Sequence, residues 1–259
     1  MKKEESHTQK LFWPILWRSF FLQTSWNFAG MQNIGFAYSM APALKKIWIS
    51  SMDYKKALAR HIRYFNTHPY FVTFILGGVV RLEEEVAAGK REASEVNRFK
   101  ASYMGSLAAI GDSLFWAGIA PLASLLALLI ALRGKLWAPC VAVGVFGIAR
   151  FLIQFQGLRL GLRSHEELAS EIQKMRFTEW AARFKEGSSF LAGVFLAMLG
   201  SHPDLRLNPQ ANLFSFFLFP LVAALFSFCL RRGLNPWQLI VLLWVVFTVG
   251  AFSEGILPR

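Results

Sequence analysis

Long runs without a charged residue, separated by short charged segments, dominate the pattern of hydrophobic and polar positions in this chain. Such runs occupy 113–132, 136–149, 187–203, 207–230 and 233–253. Three of them reach the roughly 20 residues that cross about 30 Å of hydrocarbon as a helix, and the shorter two fit tilted, re-entrant or packed segments. The pattern predicts an all-α membrane protein with several transmembrane helices.

A further charge-free stretch, 64–80, carries a polar run near its start. Asn66, Thr67 and His68 are followed there by Pro69. Polar groups at membrane depth need hydrogen-bond partners, and a proline disfavours the helical region for the residue before it. The apolar segment that follows, 71–80, covers only about 15 Å as a helix. We therefore predict an irregular polar loop joined to a re-entrant hairpin.

The same patterns divide the chain into three parts. Residues 1–50 mix many aromatic side chains with scattered amides and hydroxyls, which predicts amphipathic, interfacial helices. Residues 51–132 contain the hairpin, the first core span and the polar motifs, whereas 133–259 contain the remaining transmembrane helices. Within this last part, Leu168, Ile172 and Met175 lie at helical spacing, and they predict one amphipathic connector near 165–186.

Composition and charge support a membrane protein and exclude several other classes. Only 17% of the residues are charged, against about 25% in soluble domains. The net charge of +12 is distributed over the loops, as in positive-inside topology, and it does not indicate a nucleic-acid partner. The two cysteines, Cys140 and Cys229, lie in apolar runs and form no metal or disulfide framework. No motif for a metal, a nucleotide or another cofactor is recognised.

The polar motifs together are typical of a solute site. A hexose is a ring of hydroxyl groups that donate and accept hydrogen bonds, so its site needs polar side chains beside an aromatic ring. Six residues have suitable chemistry, and they are Asn66, Thr67, His68, Glu83, Asp112 and Trp116.

Each candidate also has a simpler interpretation. The loop residues Asn66 and His68 would hydrogen-bond a sugar, or they would cap the hairpin. Glu83 and Asp112 would accept hydrogen bonds from sugar hydroxyls, whereas a Glu run after an apolar segment is often a solvated helix end and an Asp before a span often caps it. Trp116 would stack on a sugar ring or serve as an interfacial anchor.

A series of motifs along nearly the whole chain points to a known family. The series comprises Ser25-Trp26-Asn27-Phe28, Met31-Gln32-Asn33-Ile34-Gly35-Phe36, Phe65-Asn66-Thr67-His68-Pro69-Tyr70, Leu82-Glu83-Glu84-Glu85, Gly111-Asp112-Ser113-Leu114-Phe115-Trp116, Arg150, Glu186-Gly187 and Asn235-Pro236-Trp237. In this order the chain resembles the IID component of the mannose/fructose/sorbose family of sugar phosphotransferase systems.

The resemblance implies a multi-pass subunit of the bacterial cytoplasmic (inner) membrane with no catalytic activity of its own. It implies a IIC membrane subunit as partner, a higher-order IIC-IID assembly, and IIA and IIB proteins that pass phosphate to a hexose during uptake. The phosphorylated histidines belong to those soluble proteins, so that role is not assigned to His68. The alternative is a non-transporting membrane scaffold or regulatory anchor that keeps the IID fold.

The chain departs from the family pattern at a few positions. Ala29 and Gly30 stand where relatives usually carry Glu-Arg, and Ser106 and Ala109 interrupt a Gly-Pro-Leu-Ala-Gly motif. If the Glu-Arg pair serves transport, restoring both charges should raise uptake. The departures leave both the transport and the scaffold interpretations open, and no side chain selects one hexose among its epimers.

Overall fold

The computed structural model describes residues 2–201 and the isolated positions 228, 232, 235, 237 and 241, and it describes the surroundings of the side chains in 11–195 and at those isolated positions. Residues 1–195 form one compact unit and 196–259 a second. Apart from those isolated positions, the predicted spans at 207–230 and 233–253 lie outside the described residues, as does Cys229. The predicted three-part division at residues 50 and 132 stays a prediction.

The described part of the chain is helical. Its helices are α1 (Lys2–Ser19), α2 (Asn33–Ile47), α3 (Ser51–His61), α4 (Val72–Ala87), α5 (Ala93–Gly111), a π-helical segment (Asp112–Ile119), α6 (Ala120–Ala131), α7 (Ala138–Arg163), α8 (Leu168–Lys174) and α9 (Phe177–Ser201). Extended pairing among the described residues is limited to isolated bridges. The predicted all-α class is confirmed.

Two helices in the described part are long and apolar enough to cross a membrane. The first, Ala93–Ala131, joins α5, the π-helical segment and α6 into 39 residues with a mean hydropathy of 2.2. The second is α7, with 26 residues and a mean hydropathy of 1.7. At 1.5 Å per residue the first helix is about 58 Å long, so it exceeds the hydrocarbon thickness and extends well beyond the predicted span.

Helix α4 is the central element, and it is buried along most of its length. It packs on α7 through glycines: a β-carbon at Gly77 would lie 2.6 Å from the amide nitrogen of Leu162, and one at Gly161 would lie 2.5 Å from the carbonyl oxygen of Phe74. Small residues let two helix backbones approach closely. The predicted hairpin segment 71–80 lies in this longer helix, and its re-entrant character stays a prediction.

The connector predicted at 165–186 is not one helix. Helix α8 ends before Arg176, which has a φ of 51°, and α9 begins at Phe177. The left-handed conformation of a non-glycine residue interrupts the helix. The buried positions are therefore Leu168 and Ile172, continued by Phe177 and Ala181, because the break resets the helical phase.

Candidate functional site

The polar loop is fixed to the segment that precedes α2 by extended backbone pairing. Met31 and Phe65 form a parallel bridge. The backbone amide of Gln32 donates to the Phe65 carbonyl over 2.9 Å, and the backbone amide of Phe65 donates to the Gly30 carbonyl over 3.2 Å. Phe65 itself is fully buried. This pairing determines where the loop leaves the protein core.

A compact asparagine turn supports that pairing. The Gly30 amide donates to Oδ1 of Asn27 over 2.8 Å, and Nδ2 of Asn27 donates to Oδ1 of Asn33 over 3.0 Å. Asn33 in turn donates from Nδ2 to the Ile62 carbonyl. Asparagine side chains can hydrogen-bond nearby backbone in this way and so stabilise tight turns. The turn therefore connects the start of α2 to the end of α3.

His68 lies in an aromatic enclosure. Its ring is 2% exposed and stacks on Phe115 with a centroid distance of 5.3 Å and an interplanar angle of 19°. The edge of Tyr70 lies 4.9 Å away, and Trp116 lies 5.5 Å away. The Tyr70 amide donates to Nδ1 of His68 over 3.3 Å, which places the proton of the neutral ring on Nε2. Among the described residues, Nε2 has no hydrogen-bond partner.

Burial also determines the charge of this histidine. Removal from water lowers the pKa of His68 to about 4, because burial penalises the charged imidazolium. The ring is therefore neutral near pH 7. A neutral Nε2–H is therefore buried here as a donor without a partner among the described residues.

The Gly-Asp motif meets the polar loop at the start of the π-helical segment. A β-carbon at Gly111 would overlap the His68 ring, so glycine permits the close approach. The next residues, Asp112–Ile119, are π-helical within an otherwise α-helical span. Single π-helical turns inside α-helices are frequent at functional sites. This wider turn carries both Phe115 and Trp116 against His68.

The structure brings together some of the six predicted site residues. Thr67 is 3% exposed and precedes His68, and its Oγ1 has no partner among the described atoms. Trp116 is 50% exposed beside the same ring, so its role as an interfacial anchor stays open. Asn66 and Asp112 are exposed neighbours in sequence of the buried residues.

One of the simpler interpretations is wrong and another stays open. The cap residue of α4 is Phe71, whose side chain makes no capping hydrogen bond. The His68 ring accepts from the Tyr70 backbone amide just before that helix, so the interpretation of Asn66 and His68 as caps of the hairpin stays open. Asp112 lies inside the unbroken helix Ala93–Ala131 and therefore caps no helix start.

Glu83 lies in a different group of residues. Its carboxylate accepts from Nε1 of Trp48 over 2.9 Å, and it lies 3.0 Å from Nε2 of His61 and 3.0 Å from Nε of Arg60. The side chain is fully buried, so its interpretation as a solvated helix end is wrong. These three partners do not include any residue that touches His68. The carboxylate ties α4 to the end of α2 and to α3, and it pairs with the positive charge of Arg60.

Comparisons with known proteins agree on one family. Residues 7–202 match the family described as "PTS system mannose/fructose/sorbose family IID component". The chain belongs to this family. It is 32% identical over 197 residues to the fructose permease IID component of Bacillus subtilis strain 168, and the aligned region covers 76% of this chain and 70% of that one. The mannose-specific EIID component of Escherichia coli K12 is 31% identical over 195 residues, or 74% of this chain and 67% of that one.

Solved structures show the same fold in membrane proteins. A chain of the mannose transporter ManYZ in complex with microcin E492 superposes with a TM-score of 0.59 at 26% identity, covering 97% of this chain and 98% of that one. A chain described as a membrane protein superposes with a TM-score of 0.71 at 26% identity, covering 95% and 97%. The resemblance and the membrane class predicted from sequence are confirmed.

Three cations of this IID chain near the site were not singled out as site residues. Arg150 on α7 places its guanidinium 4.8 Å from the Tyr70 ring centroid and donates to the Phe20 carbonyl over 3.2 Å. Lys185 on α9 donates to Oγ of Ser113 over 3.0 Å. Of these, Arg150 had a signal in the sequence, since it is a charge between apolar residues.

The third cation, Lys100, is buried beneath the loop. Its Nζ lies 4.7 Å from the Phe36 ring centroid and 5.5 Å from that of Phe65. A cation over aromatic faces is stabilised by their quadrupoles. Lys100 therefore lies at the base of the polar loop, where it also interacts electrostatically with Glu83. Among the described residues, no group of three or more His, Cys, Asp or Glu could hold a metal ion.

Proposed function

We propose that this IID chain acts with a IIC subunit to translocate a hexose across the bacterial cytoplasmic membrane, and that a phosphorylated IIB protein phosphorylates the sugar during uptake. The chain is a multi-pass, non-catalytic permease subunit in this proposal. IIA supplies the phosphate to IIB, and the IIC-IID pairs assemble further. The family membership supports the transport role, and the geometry around His68 supports a contact with sugar.

Two unpartnered polar atoms of the polar loop carry the proposal. Six buried side-chain nitrogen or oxygen atoms have no hydrogen-bond partner among the described residues, and two of them, Nε2 of His68 and Oγ1 of Thr67, belong to this loop. Leaving such a group unpaired costs about 1–3 kcal/mol, and native proteins contain few of them. Hexose hydroxyls can both accept from Nε2–H and pair with the threonine hydroxyl. The half-exposed Trp116, whose ring centroid lies 5.5 Å from that of His68, offers a face for the sugar ring.

The exposed members of the site suit a pathway shared between two subunits. Asn66 is exposed two positions before the buried His68, Asp112 is exposed directly after Gly111, which touches the His68 ring, and Trp116 is half-exposed near that ring. We infer that Asn66, Thr67, His68, Asp112 and Trp116 form one wall, which IIC completes. Glu83 supports the helices behind this wall, since protein groups already use its carboxylate.

The same atoms favour transport over a scaffold. A scaffold needs the packing of α4 on α7, but it gains nothing from two buried polar atoms without partners. A protein that binds no solute there would replace them with apolar groups of similar size at little or no loss of stability.

Reconstitution with defined partners tests the proposal. The chain would be expressed with IIA, IIB and IIC, or with IIC omitted, and uptake of labelled mannose, glucose, fructose and sorbose would be measured. We expect uptake and phosphorylation of at least one hexose only when IIC is present. Robust uptake without IIC would refute the two-subunit pathway. Normal IIC-IID assembly with no uptake of any hexose would favour the scaffold.

A further inference from the structure

Gln32 makes a two-point contact with the backbone of the polar loop. Its Nε2 donates to the Thr67 carbonyl over 2.8 Å, and its Oε1 accepts from the Thr67 amide over 3.0 Å. The side chain is 2% exposed. One side-chain amide therefore satisfies both backbone groups of the residue that precedes His68, as a neighbouring strand would.

The loop has few other attachments of its own. Pro69 has no backbone N–H, and Tyr70 donates to the His68 ring at 3.3 Å. The Phe71 amide donates to the His68 carbonyl over 3.0 Å, which closes a turn within the loop and does not attach it to another element. Besides the packing of the His68 and Tyr70 rings, the hydrogen bonds that attach the loop to other described elements before α4 are those of Phe65 and Gln32.

We propose that Gln32 is a positioning residue of the sugar site, holding Thr67 and His68 in the register at which they meet the π-helical segment. This inference rests on the proposed function. Gln32 does not touch the sugar and acts through the loop backbone. Without its two hydrogen bonds, Thr67 is free to rotate, and the His68 ring loses the fixed base from which it stacks on Phe115.

The chemistry of the contact separates three substitutions. Gln32→Met keeps the length of the side chain and removes both hydrogen bonds. In Gln32→Glu, an ionised carboxylate can accept from the Thr67 amide, but it cannot donate to the Thr67 carbonyl and repels it. A protonated carboxyl does both, as the native amide does, and burial favours that neutral form. Ser39→Ala is the matched control, since Ser39 is buried on α2, the helix that Gln32 directly precedes, and among the described residues its side chain donates only to the Gly35 carbonyl, at 2.9 Å.

A labelling experiment tests the position of the loop independently of transport. With Cys140 and Cys229 replaced by alanine, Thr67→Cys would place one thiol at a position that is 3% exposed. We expect slow labelling by a maleimide in the otherwise native chain and with Ser39→Ala, and labelling at least about tenfold faster with Gln32→Met. Equal rates in all three would overturn the proposal even if the chain proves to be a transport subunit.

Uptake by the complete IIA-IIB-IIC-IID system tests the effect on the site. We expect Gln32→Met to raise KM for sugar about tenfold, with a smaller change in the maximal rate and normal IIC assembly. Sugar uptake by Gln32→Glu should be impaired at pH 8 and should recover towards that of the native chain at pH 6. Each uptake rate is divided by the rate of the native chain at the same pH. Gln32→Met should show no such recovery.

The outcomes remain separable if one variant does not fold. Should Gln32→Met be missing from the membrane, Gln32→Glu at the two pH values decides the question, because its protonated form keeps both hydrogen bonds. Lack of recovery at pH 6, with normal amounts of Gln32→Glu, overturns the positioning role. A native chain that takes up no sugar refutes the proposed function, while the labelling result still reports whether Gln32 holds the loop.

Discussion

Gly111 and His68 are in direct contact, and a β-carbon at Gly111 would overlap Cγ, Cβ and Nδ1 of the imidazole. The glycine is at the last position of α5, where the helix becomes π-helical. Its backbone therefore forms the surface against which the buried ring lies. The polar loop and the Gly-Asp motif are in contact, although Gly111 and His68 are 43 positions apart (111 − 68), because one residue of the pair has no side chain.

Gly111→Ala should displace the His68 ring. Overpacking of a buried contact costs about 1–3 kcal/mol, so we expect a lower Tm for the purified protein and reduced sugar uptake. Gly105→Ala on the same helix is the control, since nothing lies within 4 Å of a β-carbon there. It should be neutral or stabilise α5 by up to about 1 kcal/mol. Equal effects of both changes would show that the contact with His68 is unimportant.

His68→Ala should weaken sugar uptake without preventing assembly. Loss of one hydrogen-bond partner in a desolvated site costs about 1–3 kcal/mol, which corresponds to roughly tenfold or more in affinity. Uptake kinetics should show this as a raised KM, whereas co-purification with IIC stays normal. Lys90→Ala, at an exposed turn position, should have no effect. The site assignment fails if His68→Ala abolishes assembly and the surviving complex transports normally.

Glu83→Gln should act on stability. Removing the negative charge leaves Arg60 next to a neutral amide, and the buried Lys100 also loses its interaction with the carboxylate. Breaking a buried ion pair costs about 3–5 kcal/mol. We expect less protein in the membrane and a lower Tm, with little change in KM for the protein that remains. Glu167→Gln is an exposed control. A raised KM at unchanged Tm would instead support Glu83 as a sugar ligand.

The Ala29-Gly30 position is more constrained than the sequence suggests. A β-carbon at Gly30 would overlap the side-chain amide of Asn33, which is already hydrogen-bonded to the Ile62 carbonyl. Gly30→Ala should therefore lower Tm, whereas Ala29→Glu, at an exposed position, should change it little. The structure thus changes the expectation for the double variant with Gly30→Arg, which should destabilise the turn. Raised uptake by that double variant would show that Asn33 moves aside and that the charge pair serves transport.

Stability should fall in mild acid. Burial lowers the pKa of His68 to about 4, and burial also lowers the pKa of His61 despite its hydrogen bond to Glu83. A histidine with a lowered pKa binds fewer protons in the folded chain than in the unfolded chain, where its pKa is about 6.5. The contribution of the buried, neutral His68 to the free energy of unfolding is therefore complete above about pH 6.5 and is lost as the pH falls towards 4. Thermal unfolding at pH 7.5, 6 and 5 should show a falling Tm, and His68→Asn should reduce the slope. An unchanged slope in that variant would mean that His68 is not the titrating group.

The sequence alone determined the solvent, the helical class and the family. Charge-free runs such as 113–132 are long enough to cross a bilayer, and in lipid a helix satisfies its own backbone hydrogen bonds. The polar run at Asn66, Thr67 and His68 was detectable because it interrupts such a stretch. These features depend on residues that are close in sequence, so their pattern can be read directly.

Only the tertiary structure decided which polar residues lie together. Glu83 and Asp112 were equal candidates in the sequence, but Glu83 is buried against Trp48 and His61, whereas Asp112 is exposed at the start of the π-helical segment. Gln32 gave no signal beyond its place in a motif, because its partner Thr67 lies 35 positions away in the sequence. In the structure its side chain hydrogen-bonds both the carbonyl and the amide of Thr67. Contacts of this kind depend on how whole helices pack and on where a glycine allows backbones or rings to meet. No local periodicity encodes them, since the partners come together only when the non-neighbouring elements fold against each other.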